Sequence, residues 1–480
     1  MPKIPFTDIN LGGVADSKYQ GSKNSMARMA GFDIHSLPGL IQVNQKMTKD
    51  SSTVVTEFCK VAIDCSNGIR YWFSADSGKI WQEKAGTYTL VYTVSPTSGS
   101  AIICGAYEYQ GYIYFATEKY LHRIPIDSAK ADGAAAWTAN AVPNWNLFTN
   151  GEATHHPMTE INLVLYIGDK NYVAQVDAGT FSANALDISN NYVITALGKM
   201  GTYLLVGGSV PNVNLSEVFL WNTYSTSFTS SDTIPERGIN CFLEADNYVL
   251  VNAGISGSIY QHNGSQLVFY KRVPGTYTPT KRAIIYPNAT AMYKGSIPIF
   301  GVSNALGNPC DQGIWSLGKH SNNYNLVFNL EFLVSDLDAE DYNLLADIEI
   351  GVIIVSGIDI FMSWRKSGAG GQVDKLDYSN KIKKPFMETR IIAPDRSDLI
   401  SYGKFIANYE TLPSGTSIVI KTKINHAASW SDTTELDDTD RNQVYAEGDR
   451  LEAKDLQLRF ECVSSGNNAP TIEEFDVVLP

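Results

Sequence analysis

The chain lacks clustered cysteines, long apolar runs, helix-period stretches and basic patches, and each absence removes a class of protein. Its 6 cysteines (Cys59, Cys65, Cys104, Cys241, Cys310, Cys462) are scattered without CxxC spacing. Zinc ribbons and disulfide frameworks need clustering, so reduced, mostly buried thiols are expected. Cys59 and Cys65 are close enough in sequence to pair, but synthesis in the cytoplasm works against it. No apolar run approaches the roughly 18 residues of a membrane-spanning helix. The opening Met1-Pro2-Lys3-Ile4-Pro5 has no apolar core, so no secretory signal is expected. Lys and Arg number 37 against 50 Asp and Glu, a net charge of −13. Gripping DNA or an anionic membrane needs cations that displace counterions, so general electrostatic binding to either is excluded. The short basic run Lys381-Ile382-Lys383-Lys384 reads as linker. Nothing matches a nucleophile elbow, a zinc-protease helix, a P-loop or a placed dinucleotide fingerprint, so neither enzyme activity nor a cofactor is expected.

What the chain does have favours strands. It carries 26 Tyr and 38 Gly, Thr/Ser-rich spacers and only 18% charged residues. At 480 residues it exceeds one core, so two or three domains are expected. Residues 1–48 are Gly-, Ser- and Asn-rich, with no strand-like alternation before Leu40, and read as an extended arm. From 49 to 385 a unit recurs: an apolar strand, a small or polar turn, and a second apolar strand. Its copies span residues 67–82, 111–126, 162–177, 201–222, 247–262, 295–317 and 350–364, starting about 39 to 55 residues apart. A four-stranded propeller blade needs roughly 40–50 residues, so the period fits an all-β, seven-bladed propeller, each copy supplying the middle hairpin of one blade. Residues 386–480 alternate with period 2. Leu456, Leu458, Phe460 and Cys462 face one way, and Gln457, Arg459 and Glu461 the other. That pattern predicts an antiparallel, jelly-roll-like β-sandwich with one polar face.

Ser74-Ala75-Asp76-Ser77-Gly78-Lys79-Ile80-Trp81 fits the pattern SxDxGxxW, with Ile80 where Thr is usual. Gly78 permits a tight hairpin, the Asp76 carboxylate can accept turn N–H groups, and Trp81 can pack between blades. It looks like the Asp box of sialidase-type propellers, which is structural. Arg123-Ile124-Pro125 resembles the sialidase carboxylate-binding motif, but His122 precedes it and it follows the Asp box, so an ordinary strand end is expected. A sialidase also needs more arginines and paired acids. Arg237, Arg272, Arg365, Tyr324, Glu331 and Asp76 are available, with no spacing that singles them out. His155-His156 reads as surface loop and not as a metal site, because neighbours on a strand point oppositely. Asp336 to Asp341 lacks the glycine of a calcium loop and reads as the start of a short helix over 340–346. Glu435 to Asp440 reads as a solvated loop.

The stretch from Gly21 to Gly39 resembles the N-terminal arms of tailed-bacteriophage virion proteins, in which such an arm precedes a propeller. Leu412 to Ile420, Leu456 to Phe460 and Ala469 to Ile472 are similar to the closing sandwiches of that group. The resemblance implies a structural component of the virion, at the neck, nozzle or tail tip, made in the host cytoplasm. Its partners would be other virion proteins and copies of itself, with a host-surface glycan as a further possibility. Phe32, Ile34, Pro38 and Leu40 would be the docking residues of the arm. The competing functions are a carbohydrate-binding adsorption module, using Trp137, Trp145, Tyr224 or Tyr277 to stack on sugars, and a sialidase-like glycoside hydrolase.

Overall fold

The computed structural model describes residues 3–478 except 16, 20, 23, 38, 51–54, 95–101, 131–135, 138–141, 148–154, 246, 277–281, 304–310, 320–324, 336–347, 393–399, 403, 438–442 and 447–450. The described residues are all-β apart from the four-residue helices Ile9–Gly12 and Ile126–Ala129 and a helical step at 136–137. Cys310, Tyr277, Tyr324, Pro38, the 336–347 segment and 438–440 fall outside the described residues, while Glu435 and Leu436, expected in a solvated loop, end the strand Ser431–Leu436, with Leu436 buried.

Five separate four-stranded antiparallel sheets follow one another in the chain. The first runs from Cys59–Asp64 to Thr87–Thr93, and the second from Ile103–Tyr109 to Val142–Asn146. The third runs from Met158–Ile161 to Thr180–Asp187, the fourth from Val193–Met200 to Ser230–Ile234, and the fifth from Ile239–Ala245 to Leu267–Arg272. Two further four-strand runs lie within one longer hydrogen-bonded path. One comprises Ile284–Tyr293, Ile297–Ser303, Gly313–Gly318 and Val327–Phe332; the other comprises Ile348–Ser356, Asp359–Lys366, Gly371–Lys381 and Gln45–Lys49.

The first strand of each sheet packs on the first strand of the next, and Ile348–Ser356 packs back on Cys59–Asp64, so the circle closes. Second strands are covered on both faces by neighbouring sheets. That is why Tyr112–Thr117, Val164–Asp169 and Tyr248–Ala253 are buried along almost their whole length without alternation. Close approach needs small residues: a Cβ on Gly351 would sit 2.2 Å from the Cys59 carbonyl oxygen.

Six of the recurring units coincide with second and third strands, as expected of middle hairpins. The seventh does not. Residues 350–364 fall on the first and second strands of their run, because its fourth strand comes from the N-terminal segment. Four earlier strands of that segment are also used. They are β1 (Lys3–Phe6), β2 (Arg28–Ala30), β3 (Phe32–Asp33) and β4 (Ile41–Val43), followed by β5 (Gln45–Lys49). β5 pairs with Gly371–Lys381 across the expected boundary at 48/49. β2 sits between Phe386–Glu388 and the outer strand Val327–Phe332, linking the two halves of the molecule. β1 and β4 pair with Thr471–Val478. The segment is therefore no free arm. Phe32 and Ile34 are each 0% exposed in the chain's own core, and Leu40 is half-buried, so the first two are closed to any partner.

In the C-terminal part, Leu456–Val463 lies between Ser417–Ile424 and Phe386–Glu388 in one sheet. Thr471–Val478 pairs with Lys404–Tyr409 in another. Phe460 from the first stacks on Phe475 from the second at 3.6 Å, inside a shared core. The polar face expected on Leu456–Val463 is not solvated: Gln457, Arg459 and Glu461 are all buried. The charges of Arg459 and Glu461 join a ladder across the sheet, and Gln457 donates to the Thr389 oxygen at 2.9 Å. Asp432 and Glu461 flank Lys421, Glu461 and Glu388 flank Arg459, and Glu388 and Asp311 flank Arg28. Phe386 lies under both Arg28 and Arg459, at 5.2 and 4.0 Å.

Candidate functional site

The Asp-box residues form the turn between the second and third strands of the first sheet. Gly78 has φ +65°, the left-handed conformation a hairpin needs there. The organiser is Ser74, which is fully buried. Its Oγ accepts the N–H groups of Asp76 and Ser77, each at 3.2 Å, and donates to Glu57 at 2.7 Å. Ser77 Oγ and Lys79 Nζ also bond Glu57. Burial pushes the Glu57 carboxyl up, but these donors outweigh it and hold it below its usual range. Asp76 does not take the turn N–H groups expected of it. It accepts Arg365 Nη1 at 3.0 Å, tying the first sheet to the strand Asp359–Lys366. Trp81 packs with Val352, Ile354, Phe361 and Val373 of the same neighbouring run, between sheets as expected.

Around Arg365 the start of the ring closes into one cluster. Arg365 Nε donates to Glu349 at 2.5 Å, and the guanidinium lies 4.4 Å from the Phe58 ring centre. Lys60 Nζ lies 4.6 Å from the Tyr286 ring and 5.8 Å from Phe58. Burial lowers the pKa of the Lys60 amine and raises that of Tyr286 to about 12. Both carboxylates on Arg365 are committed to it, and the Lys60 charge is covered by two rings. The cluster is built to hold three sheets together, and neither of those carboxylates is left over to serve as a base.

Within the ring the first strands enclose a cavity of about 310 Å³, lined by Ala62, His155, Leu197, Asn240, Asn288 and Val352 among others. Asn288 Nδ2 donates to the Lys60 carbonyl at 2.8 Å, crossing from one sheet to another. First strands of the first, second, fourth and fifth sheets and of both later runs carry a register shift. Such bulges re-aim side chains toward the axis. The histidine pair, expected on a surface loop, lies here instead. His156 is fully buried, with Nδ1 2.9 Å from the Gly168 oxygen and Nε2 3.4 Å from the Glu118 oxygen. His155 points into the cavity, and burial pushes its pKa down to about 4, so it is neutral.

The remaining sequence candidates are dispersed. Arg123 stacks on Tyr112 at 4.8 Å and Trp145 at 5.2 Å, on an ordinary strand. Arg272 bonds Glu236 and Ser258, Arg365 bonds Glu349 and Asp76, and Arg237 bonds Asn212, so these three share no partner. Trp137 is fully buried, donating Nε1 to the Ala129 oxygen, and Trp145 stacks on Phe181 between sheets. Tyr224 is exposed, at 84%. The five described cysteines are free and buried. Among the described residues no cluster of three or more potential metal ligands occurs, and no helix is long and apolar enough to cross a membrane.

One of the sequence candidates, Glu331, lies apart from these in the core. Glu331 is 1% exposed on Val327–Phe332, with Ser316 and Asn44 beside its carboxyl but neither oxygen in hydrogen-bond geometry. Burial, with Asp33 nearby, raises its pKa to about 7. Asp33 itself is pushed up by burial but is held below the usual carboxylate range by Lys294, Ser36 and the His35 N–H. The strand is buried throughout, so no alternation marks the position.

No protein-family model matches the chain, and no curated protein matches it. Solved structures do. A computationally designed protein is 11% identical, with 69% of this chain and 99% of that one covered and a TM-score of 0.41. The β-propeller domain of Swd1 from Myceliophthora thermophila is 12% identical, covering 66% and 96%, TM-score 0.44. An inactive virginiamycin B lyase from Staphylococcus aureus, solved with quinupristin, is 13% identical, covering 70% and 99%, TM-score 0.47. At these identities the likeness concerns fold alone.

Proposed function

We propose that this chain is a structural component of a tailed-phage virion, a seven-bladed β-propeller closed by β5 and followed by a C-terminal β-sandwich, acting through protein–protein assembly. The closed circle of first strands supports the propeller, and the Phe460–Phe475 stack supports the sandwich. One observation carries the mechanical role. The N-terminal segment threads both units, β1, β2 and β4 pairing with C-terminal strands and β5 completing the last blade. A body stitched this way resists shear between its halves, which suits a part of a load-bearing particle. Because Phe32 and Ile34 are spent inside the chain, contacts with other virion proteins or copies of itself come from elsewhere. The outer strand Leu267–Arg272 offers an unpaired edge, with Val268 52% and Phe269 45% exposed.

Light scattering on the purified chain, alone and with candidate virion partners, tests this reading. A discrete ring, or a monomer that assembles only with partners, is expected. A stable monomer indifferent to every partner sinks it.

A further inference from the structure

Beside the central cavity, a second pocket of about 420 Å³ opens where the fourth and fifth sheets meet. Its wall includes Arg237, Asn212, His155, Thr195, Ser209 and Gly238. Three observations set it apart from the rest of the surface.

The first is an uncompensated cation. This chain has 50 acids for 37 bases, and Arg28, Arg70, Arg272, Arg365 and Arg459 are each paired with a carboxylate. Arg237 is not. Its partner among the described residues is the Asn212 side-chain oxygen, at 2.9 Å. The adjacent Glu236 is turned away and bound to Ser258 Oγ at 2.7 Å and Arg272 at 3.7 Å.

The second is pre-organisation. Ser216, fully buried, clamps the backbone on both sides of Arg237: its Oγ donates to the Glu236 oxygen and accepts the Gly238 N–H, each at 2.9 Å. Asn212 sits on a loop closed by Val210 N–H to the Leu215 oxygen at 3.0 Å. The backbone that carries Arg237 is thus fixed, while its exposed side chain is held toward Asn212 by one hydrogen bond.

The third is the rest of the lining. It is neutral and polar, with the Ser209 hydroxyl, the Asn212 amide, the uncharged His155 ring and the Thr195 hydroxyl, which donates to the Ile239 oxygen at 2.7 Å and keeps lone pairs to accept, beside short apolar walls from Ile194, Val210 and Pro211. The volume lies in the range of small-ligand sites and exceeds what a bare inorganic anion fills. One fixed cation, several neutral hydrogen-bonding groups and small apolar patches match a molecule with one carboxylate, several hydroxyls and C–H faces.

We propose that this pocket binds an acidic sugar, with Arg237 receiving the carboxylate and Thr195, Ser209 and Asn212 the hydroxyls. The site does not depend on the virion reading, and either can fail alone. Calorimetric or ligand-observed NMR titration of the full chain tests it, with D-glucuronate, D-glucose and inorganic phosphate as probes. A charge-assisted hydrogen-bonded pair corresponds to roughly 10- to 100-fold in affinity, so glucuronate is expected to bind at least about tenfold more tightly than glucose. Arg237→Gln should abolish that preference while leaving the unfolding temperature unchanged. Asn212→Ala, which frees the guanidinium from its orienting bond, should reduce the preference by a smaller factor. Equal binding of glucuronate and glucose, or a preference that survives Arg237→Gln, overturns the site. Phosphate binding as tightly as glucuronate overturns the sugar assignment.

Discussion

Replacing Glu331 by Gln should make the protein more stable at alkaline pH and leave it nearly unchanged in acid. The carboxyl is 1% exposed, and Ser316 and Asn44, which lie beside it, only partly offset its burial. Its pKa is raised from 4.5 to about 7, first by burial and then by Asp33. A folded-state pKa above the unfolded value means that the group favours folding below about pH 4.5. That contribution is lost as pH rises through 7. Each pKa unit is worth about 1.4 kcal/mol, so the ionised carboxylate costs on the order of 3 kcal/mol by pH 8. Gln has the same shape and cannot ionise. Urea unfolding of parent and variant at pH 5 and pH 8 reads the difference. The variant should gain up to about 3 kcal/mol at pH 8 and under about 1 kcal/mol at pH 5. A gain that is equal at the two pH values, or a loss at pH 8, refutes the reasoning.

Other consequences follow from the same contacts. Met47 is 1% exposed on β5, so Met47→Asp should cost about 3 kcal/mol or more through an unpaired buried charge, seen as early protease cleavage of the last blade. Phe475→Ala should lower stability by about 3–5 kcal/mol by emptying the stack on Phe460. Ser74→Ala should cost about 1–3 kcal/mol and Asp76→Ala under about 1 kcal/mol, because Ser74 is buried with three bonds while Asp76 is 54% exposed; thermal unfolding with the reverse order would restore the Asp-box assignment. The native chain should yield no more than one thiol to a soluble disulfide reagent, since five cysteines are buried, and more than one would mean the ring opens in solution.

Much of the strand pattern was legible because hairpins are local. Each of the first six recurring units holds two strands joined by a turn, and tertiary context only had to cover them. The seventh fell out of phase because its missing strand, Gln45–Lys49, lies at the other end of the chain, and no local signal announces such a pairing. The segments Arg28–Ala30, Phe32–Asp33 and Ile41–Val43 are three residues or fewer, too short to show a period. They read as an arm for the same reason. Arg459 and Glu461 misled differently. Alternation predicted a solvated face, but ion pairs allowed both charges to be buried. At Asp76 the motif located the turn correctly and misassigned its chemistry, since Ser74 supplies the acceptor. The Arg237 pocket was beyond reach, because the fourth sheet, the segment leading into the fifth and His155 ahead of the third have to come together to form it.

The placement of β5 has a consequence for how the chain is made. Gln45–Lys49 leaves the ribosome roughly 320 residues before the strand it pairs with, Gly371–Lys381. At roughly 5–20 residues per second the early strand waits on the order of tens of seconds with its edge uncovered. During that interval every earlier blade can form, but the circle cannot shut. Such distant pairing is slow and prone to capture by other chains. Assembly in a crowded cell would therefore depend on keeping the first fifty or so residues unoccupied until the last blade arrives, and yield should be more sensitive to expression rate and temperature than the finished protein's stability suggests.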